Sequence, residues 1–251
     1  MTPDAPPSRP ADPTVLGDLV ARDRRTSAPA LRARDAGRSY SYYDFVTTTY
    51  KAGNVLRYLG VRGGETVAVA PDPLPEPVLA FYGAAQLGAA TTFHLDPTGS
   101  AAPADAPRAT LVGVDREGEF DLPPGCKLAV YGGSPERPET THWEQEVWSE
   151  NPAVHPATVA ADDAALRADG RTYSHAELLD AAATAVESGE MMAGEEVVVR
   201  DSLERPGAVA AGLVAPVLVG AVVTFPDSDT VGDVAVGDGP EGRSVSPADV
   251  L

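Results

Sequence analysis

The residues best suited to chemistry in this 251-residue chain are few. Ser174 and His175 place a hydroxyl beside an imidazole, directly after Gly170, Arg171, Thr172 and Tyr173. Such a group offers flexible backbone, a cation, small hydroxyls and a titratable ring, the parts from which an anion or nucleotide site is assembled. Gly170, Arg171, Thr172, Ser174 and His175 are therefore the candidate cofactor-binding residues. The competing reading is structural. Ser174-His175-Ala176-Glu177 fits a capping box, in which hydroxyl and carboxylate satisfy orphan amides at a helix start and His175 stands exposed in the first turn. Arg171, like Arg38 earlier in the chain, then reads as hairpin or helix-entry structure. No catalytic residue is assigned.

Other reactive side chains lack companions. Cys126 is the only cysteine, which excludes an intramolecular disulfide and a multi-cysteine metal site and reads as a buried thiol. His94, His142, His155 and His175 show no ligand spacing on one element, so no metal is expected. Trp143 and Trp148 read as packing. Gly63-Gly64 and Gly194 precede strands, whereas a phosphate cradle has to follow one. The segments that do follow strands, Asp72-Pro73-Leu74-Pro75 and Asp201-Ser202-Leu203-Glu204, carry the wrong charge for phosphate.

Asp plus Glu number 37 against 19 Lys plus Arg, a net charge of -18. That field repels phosphates, so neither nucleic acid nor an anionic membrane is an expected partner. Only Lys51 and Lys127 are lysines. Acid-rich and lysine-poor composition looks like a halophilic, haloarchaeal proteome. Met1 is followed by Pro- and Asp-rich sequence rather than a signal peptide, and the expected location is cytoplasmic.

These residues sit on elements that occur twice. Ala30-Leu31-Arg32-Ala33 followed by Gly37-Arg38-Ser39-Tyr40-Ser41 returns as Ala165-Leu166-Arg167-Ala168 followed by Gly170-Arg171-Thr172-Tyr173-Ser174. Gly64 to Val69 pairs with Gly194 to Val199, and Gly88 to Phe93 with Gly220 to Phe225. Each copy reads as a capped amphipathic helix, a strand from Val67 or Val197, a Pro-opened helix from Pro75 or Pro206, and a closing Val/Thr/Phe strand. Strand, helix and strand joined by short loops imply parallel pairs with right-handed crossovers. The charge-free run from Pro206 to Pro226 is thus read as helix, Gly220 and strand, not as a membrane span. Further strands are expected at Ala109 to Val114 and Lys127 to Tyr131, loops at 95 to 108 and 132 to 140, and a short helix at 141 to 150.

The fold class expected is α/β: two similar lobes from an internal duplication, each a mainly parallel sheet with flanking helices. The division expected is a disordered N-terminus at 1 to 13, a first lobe at 14 to 155, a second at 156 to 226, and an acidic Gly-rich tail at 227 to 251 with at most one strand, Val234 to Val236.

Thr14 to Val20, Pro29-Ala30-Leu31, Gly37 to Tyr42, Leu59 to Val69 and Leu87-Gly88-Ala89 together resemble the opening of AMP-binding adenylate-forming enzymes. That superfamily includes acyl-CoA synthetases, peptide-synthetase adenylation domains and luciferase. The resemblance is dense over residues 14 to 93 and looser through Val159 to Pro226. It implies a large domain of two related lobes, ATP and AMP with magnesium as cofactors, and activation of a carboxylic acid.

The resemblance also implies a phosphate loop, typically TSGTTGxPKG, between a strand and a Ser-His pair. Here Ala168-Asp169-Gly170-Arg171-Thr172 runs straight into Tyr173-Ser174-His175, without the loop or its Lys. Tyr-Gly-x-Thr-Glu and Thr-Gly-Asp segments, and a small C-terminal domain with its Lys, are not found. Each lost preorganised donor lowers the rate by about a hundred- to a thousandfold. The expectation is a non-catalytic relative serving as a binding or interaction module, with no cofactor unless the family activity survives. It would take a protein partner or self-associate through apolar surface left by truncation. The alternative is one half of a split ligase that activates a carboxylic acid with ATP beside a partner chain.

Overall fold

The computed structural model describes residues 5–97 and 106–251. Parts of the expected N-terminal stretch (1–4) and of the loop at 95 to 108 (98–105) lie outside the described residues.

After two short 3-10 turns, β1 (Pro29–Ala33) and β2 (Arg38–Ser41) form an antiparallel hairpin. Ser41 caps α1 (Tyr42–Tyr58), its Oγ accepting from Asp44 N at 3.1 Å. The chain continues through β3 (Thr66–Val69), α2 (Pro75–Ala85) and β4 (Ala90–Thr92), then β5 (Ala109–Gly113), β6 (Lys127–Tyr131), β7 (Thr141–His142) and α3 (Trp143–Ser149). The first order of elements then returns. A hairpin of β8 (Ala164–Ala168) and β9 (Arg171–Ser174) leads into α4 (His175–Ser188) and β10 (Glu196–Val199). A helix follows in three parts: α5 (Pro206–Val209), a π-helical turn (Ala210–Val214) and α6 (Ala215–Val219). Pro216 accounts for the widened turn, since it has no N–H to donate four residues back and its ring crowds that carbonyl. β11 (Val222–Phe225), β12 (Val234–Val236) and β13 (Arg243–Val245) complete the chain's strands among the described residues.

The strands form two sheets, in the orders β13-β12-β10-β11-β1-β2 and β7-β6-β5-β3-β4-β8-β9. The sheets cut across the expected division at 155/156. The β1–β2 hairpin joins the late strands, Leu31 pairing with Val223, and the β8–β9 hairpin joins the early ones, Leu166 pairing with Thr91. Each hairpin thus pairs with a closing strand, β11 or β4, and moves that sheet's edge outward to the short strand β2 or β9. The expected tail is also corrected. Beyond Asp227 there are two strands rather than at most one, because Val234 and Val245 bury against the α4 end at Gly189 and, with Val236, extend the parallel sheet. Residues 5–13 are likewise packed in part: Pro7 is buried, and its carbonyl leaves no room for a Cβ on Gly220.

α2 touches strands of both sheets and is buried along its whole length, as is Pro206–Phe225. The two Pro-opened helices meet through Tyr82, whose hydroxyl donates to Leu213 O at 2.9 Å. α1 approaches α2 so closely that a Cβ on Gly83 would stand 2.7 Å from Gly53 N. Among the described residues no helix is long and apolar enough to cross a membrane. Trp143 is buried as expected, but Trp148 is 85% exposed. Cys126 is half-buried rather than buried, and desolvation pushes its thiol up against the opposing influence of Arg108.

Candidate functional site

The β8–β9 hairpin carries the candidate residues, and its turn decides the site. Ala168 pairs with Arg171, leaving two residues between the strands. Asp169 (φ 53) and Gly170 (φ 72) both adopt positive φ, the pattern of a type I′ turn, which Asp-Gly is well suited to make. Such a turn matches the twist of its strands and holds no spare residues to wrap a ligand.

Beside this turn, beyond the carboxyl ends of β4 and β8, is a pocket of about 510 Å³. It gathers Gly170, Arg171 and Thr172 of the candidates, together with Arg167, His94 and Glu204. Arg171 Nη2 lies 2.6 Å from Glu177 Oε1, and its guanidinium sits 4.5 Å from the Tyr173 ring centroid. Its charge is thus engaged within the hairpin. Arg38 behaves similarly in the other hairpin, pairing with Glu76 at 2.5 Å. Arg167 makes no ion pair with a described residue, and its Nε is buried without a partner. Asp169 and Glu204 also line the pocket.

Ser174 and His175 do not join it. Ser174 caps α4: its Oγ accepts from Glu177 N at 3.1 Å, while Glu177 Oε2 accepts from Ser174 N at 2.9 Å. Those bonds, the Ser174 amide first and Arg171 next, hold the Glu177 carboxyl below its usual range. The capping box is therefore present. The expected exposure of His175 is not, for its ring has no accessible surface. Nδ1 accepts from Leu16 N at 3.2 Å, tying the first 3-10 turn of the chain to the first turn of α4. Nδ1 is the acceptor, so the proton of the neutral ring is on Nε2, which is buried without a partner. Burial lowers its pKa to about 4, against the smaller opposing effects of Asp163 and Asp18.

Sequence reading missed His94, Arg167 and Glu204 as pocket residues. Arg167 was visible as the basic residue just before the Asp169-Gly170 turn. Nothing in the sequence brings His94, at the end of β4, to Glu204, on the loop after β10. Among the described residues no group of three or more His, Cys, Asp or Glu is placed to hold a metal ion.

The arrangement does not fit a nucleotide triphosphate. A phosphate cradle presents several backbone amides to one point, whereas this turn has two residues, one of them Asp169, and the Glu204 carboxylate lines the same pocket.

Residues 20–103 match the family model of the AMP-binding enzymes. No curated protein matches the sequence. Among solved structures, the chain is similar to the anthranilate CoA ligase AuaEII in complex with anthranoyl-AMP, with a TM-score of 0.73 and 19% identity over 88% of this chain and 49% of that one. It is similar also to the N-terminal domain of FACL13 from Mycobacterium tuberculosis (TM-score 0.68, 16% identity, 86% of this chain and 58% of that one). MatB from Rhodopseudomonas palustris gives a TM-score of 0.68 at 16% identity, over 88% of this chain and 48% of that one. The chain thus spans about half the length of these proteins. Its fold is that of the adenylate-forming enzymes, as the sequence resemblance implied.

Proposed function

We propose that this chain is a non-catalytic member of the adenylate-forming fold, acting as a binding or interaction module rather than as a ligase. The observation that carries the reading is the two-residue Asp169-Gly170 turn, which stands where the resemblance implies a phosphate loop. The pairing of Arg171 with Glu177 supports it, because the nearest candidate cation is already neutralised. Arg167 leaves the pocket able to take a small anion such as a carboxylate, for which one guanidinium is enough. Exposed Tyr58, Trp148 and Met192 offer apolar contacts to a protein partner or a second copy. The acidic, lysine-poor composition supports work in strong salt.

Titration calorimetry of the purified chain in molar KCl with ATP, AMP and an acyl-adenylate analogue tests this. No saturable ATP heat and no pyrophosphate release are expected. Pyrophosphate release by the chain alone refutes the reading. Release only after a co-purifying protein is added establishes instead a ligase split between two chains.

A further inference from the structure

A second pocket, of about 460 Å³, shares no residue with the pocket beside the β8–β9 turn and is walled by α1, α3 and β2 and floored by the first turn of α2. Its floor belongs to α2, the helix that follows β3, where the strand order reverses. The chain leaves β3 toward β4 on one side and returns to β5 on the other, so the connection reverses at β3, and ligands bind beyond the carboxyl ends of strands at such a point. Glu76 is the second residue of α2.

Two polar atoms of residues lining this pocket are buried with no partner, Thr47 Oγ1 and Glu76 Oε2, while Glu144 Oε2 lies 3.5 Å from His142 Nε2. Glu76 is 2% exposed, and Arg38 engages only its other oxygen. The Thr47 hydroxyl can donate or accept, but Glu76 Oε2 belongs to a carboxylate, so the missing element there is a hydrogen-bond donor. A buried acceptor left unmatched is strongly unfavourable, and one on a carboxylate more so. The charged lining residues are Arg38 and Lys51 against Asp44, Glu76 and Glu144, within a chain of net charge -18. Lys51 Nζ is committed to Trp148 O at 3.1 Å, a bond that links α1 to α3 across the pocket. Trp148 presents an 85% exposed indole at the rim, and aromatic faces attract organic cations.

We propose that this pocket binds a small organic cation, an amine or guanidine attached to an apolar or aromatic body, with the charged group donating to Glu76 and the body against Trp148. The volume suits such a molecule. This site is independent of whether the chain handles a nucleotide.

The two tryptophans of the chain, Trp143 and Trp148, both line the pocket, so intrinsic fluorescence reports on it directly. The probe is 2-phenylethylamine at pH 7 and fixed ionic strength, with 2-phenylethanol as the neutral isostere and phenylacetate as the anion. The expected result is a saturable change with the amine at millimolar concentration or below, and none with the other two. Glu76→Gln should weaken it by about tenfold or more, the scale of one charge-assisted hydrogen bond. Trp148→Ala, at an exposed position that leaves the fold intact, should weaken it too when read by calorimetry, and this keeps the test decisive if Glu76→Gln unfolds. Equal response to amine and alcohol reveals a merely apolar groove and overturns the proposal. A linear, unsaturable response to the amine also overturns it.

Discussion

Acid sensitivity follows from two buried histidines. His175 has no exposed surface and His155 is 7% exposed; burial lowers each pKa from 6.5 to about 4, with the charge of Arg57 adding to the effect at His155. His155 stacks on Tyr50 with ring centroids 5.8 Å apart, and neither of its nitrogens finds a partner. A group whose folded pKa is depressed binds protons more readily when unfolded. Both rings therefore contribute their full stabilisation above the unfolded pKa, and this is lost as pH falls from about 6.5 toward 4. Linkage with those two values gives about 1.6 kcal/mol lost per histidine between pH 6.5 and 5, or about 3 kcal/mol for the pair. That is a large share of the roughly 5–15 kcal/mol by which domains are stable. Urea denaturation at pH 6.5, 6, 5.5 and 5 in constant KCl measures it, and stopping at pH 5 keeps most carboxylates ionised. The His155→Leu, His175→Gln double variant removes both titrations, and the introduced glutamine amide retains an acceptor for Leu16 N. Its stability should change with pH by about 3 kcal/mol less than the parent chain over that interval. If the two slopes coincide, the histidines are not held neutral in the folded state and the burial argument is wrong.

Gly83→Ala should lower stability by about 1–3 kcal/mol, the scale of overpacking, because the new Cβ meets the backbone of α1; thermal melts check this. Tyr82→Phe leaves the Leu213 carbonyl without its donor in a closed interior, and about 1–3 kcal/mol should be lost in urea titrations. Gly170→Ala forces a side chain onto φ 72 and should destabilise the hairpin by about 1 kcal/mol, while Asp169→Gly should be neutral or mildly stabilising. Salt should raise the melting temperature steadily from dilute buffer to molar KCl by screening the net charge of -18, and a flat salt response refutes the role given to that charge.

Much of the fold was legible because its signals are local. Ser174 and Glu177 announced the start of α4 by chemistry that needs only four residues, and Pro75 with Gln86-Leu87-Gly88 bracketed α2 in the same way. That no TSGTTGxPKG-like stretch stands between Arg167 and Ser174 could be read directly, since no folding can supply residues that are not there. The fate of His175 was hidden, because its exposure depends on Leu16, 159 residues earlier. Trp148 resembled Trp143 in sequence, and only the placement of α3 against α1 buried one and left the other in solvent.

The amino-acid order by itself set the elements, their caps, the repeated grammar of hairpin, helix and strand, and the two-residue turn, for each is fixed by neighbours a few positions apart. Tertiary structure alone decided that each hairpin completes the other sheet, that residues beyond Asp227 extend one of them, and that Thr47, Glu76 and Glu144 meet at one pocket. Edge pairing and the gathering of side chains from separate elements depend on which surfaces meet when the sheets close over α2. That choice is made by the burial of the whole apolar core, which no short stretch of sequence encodes.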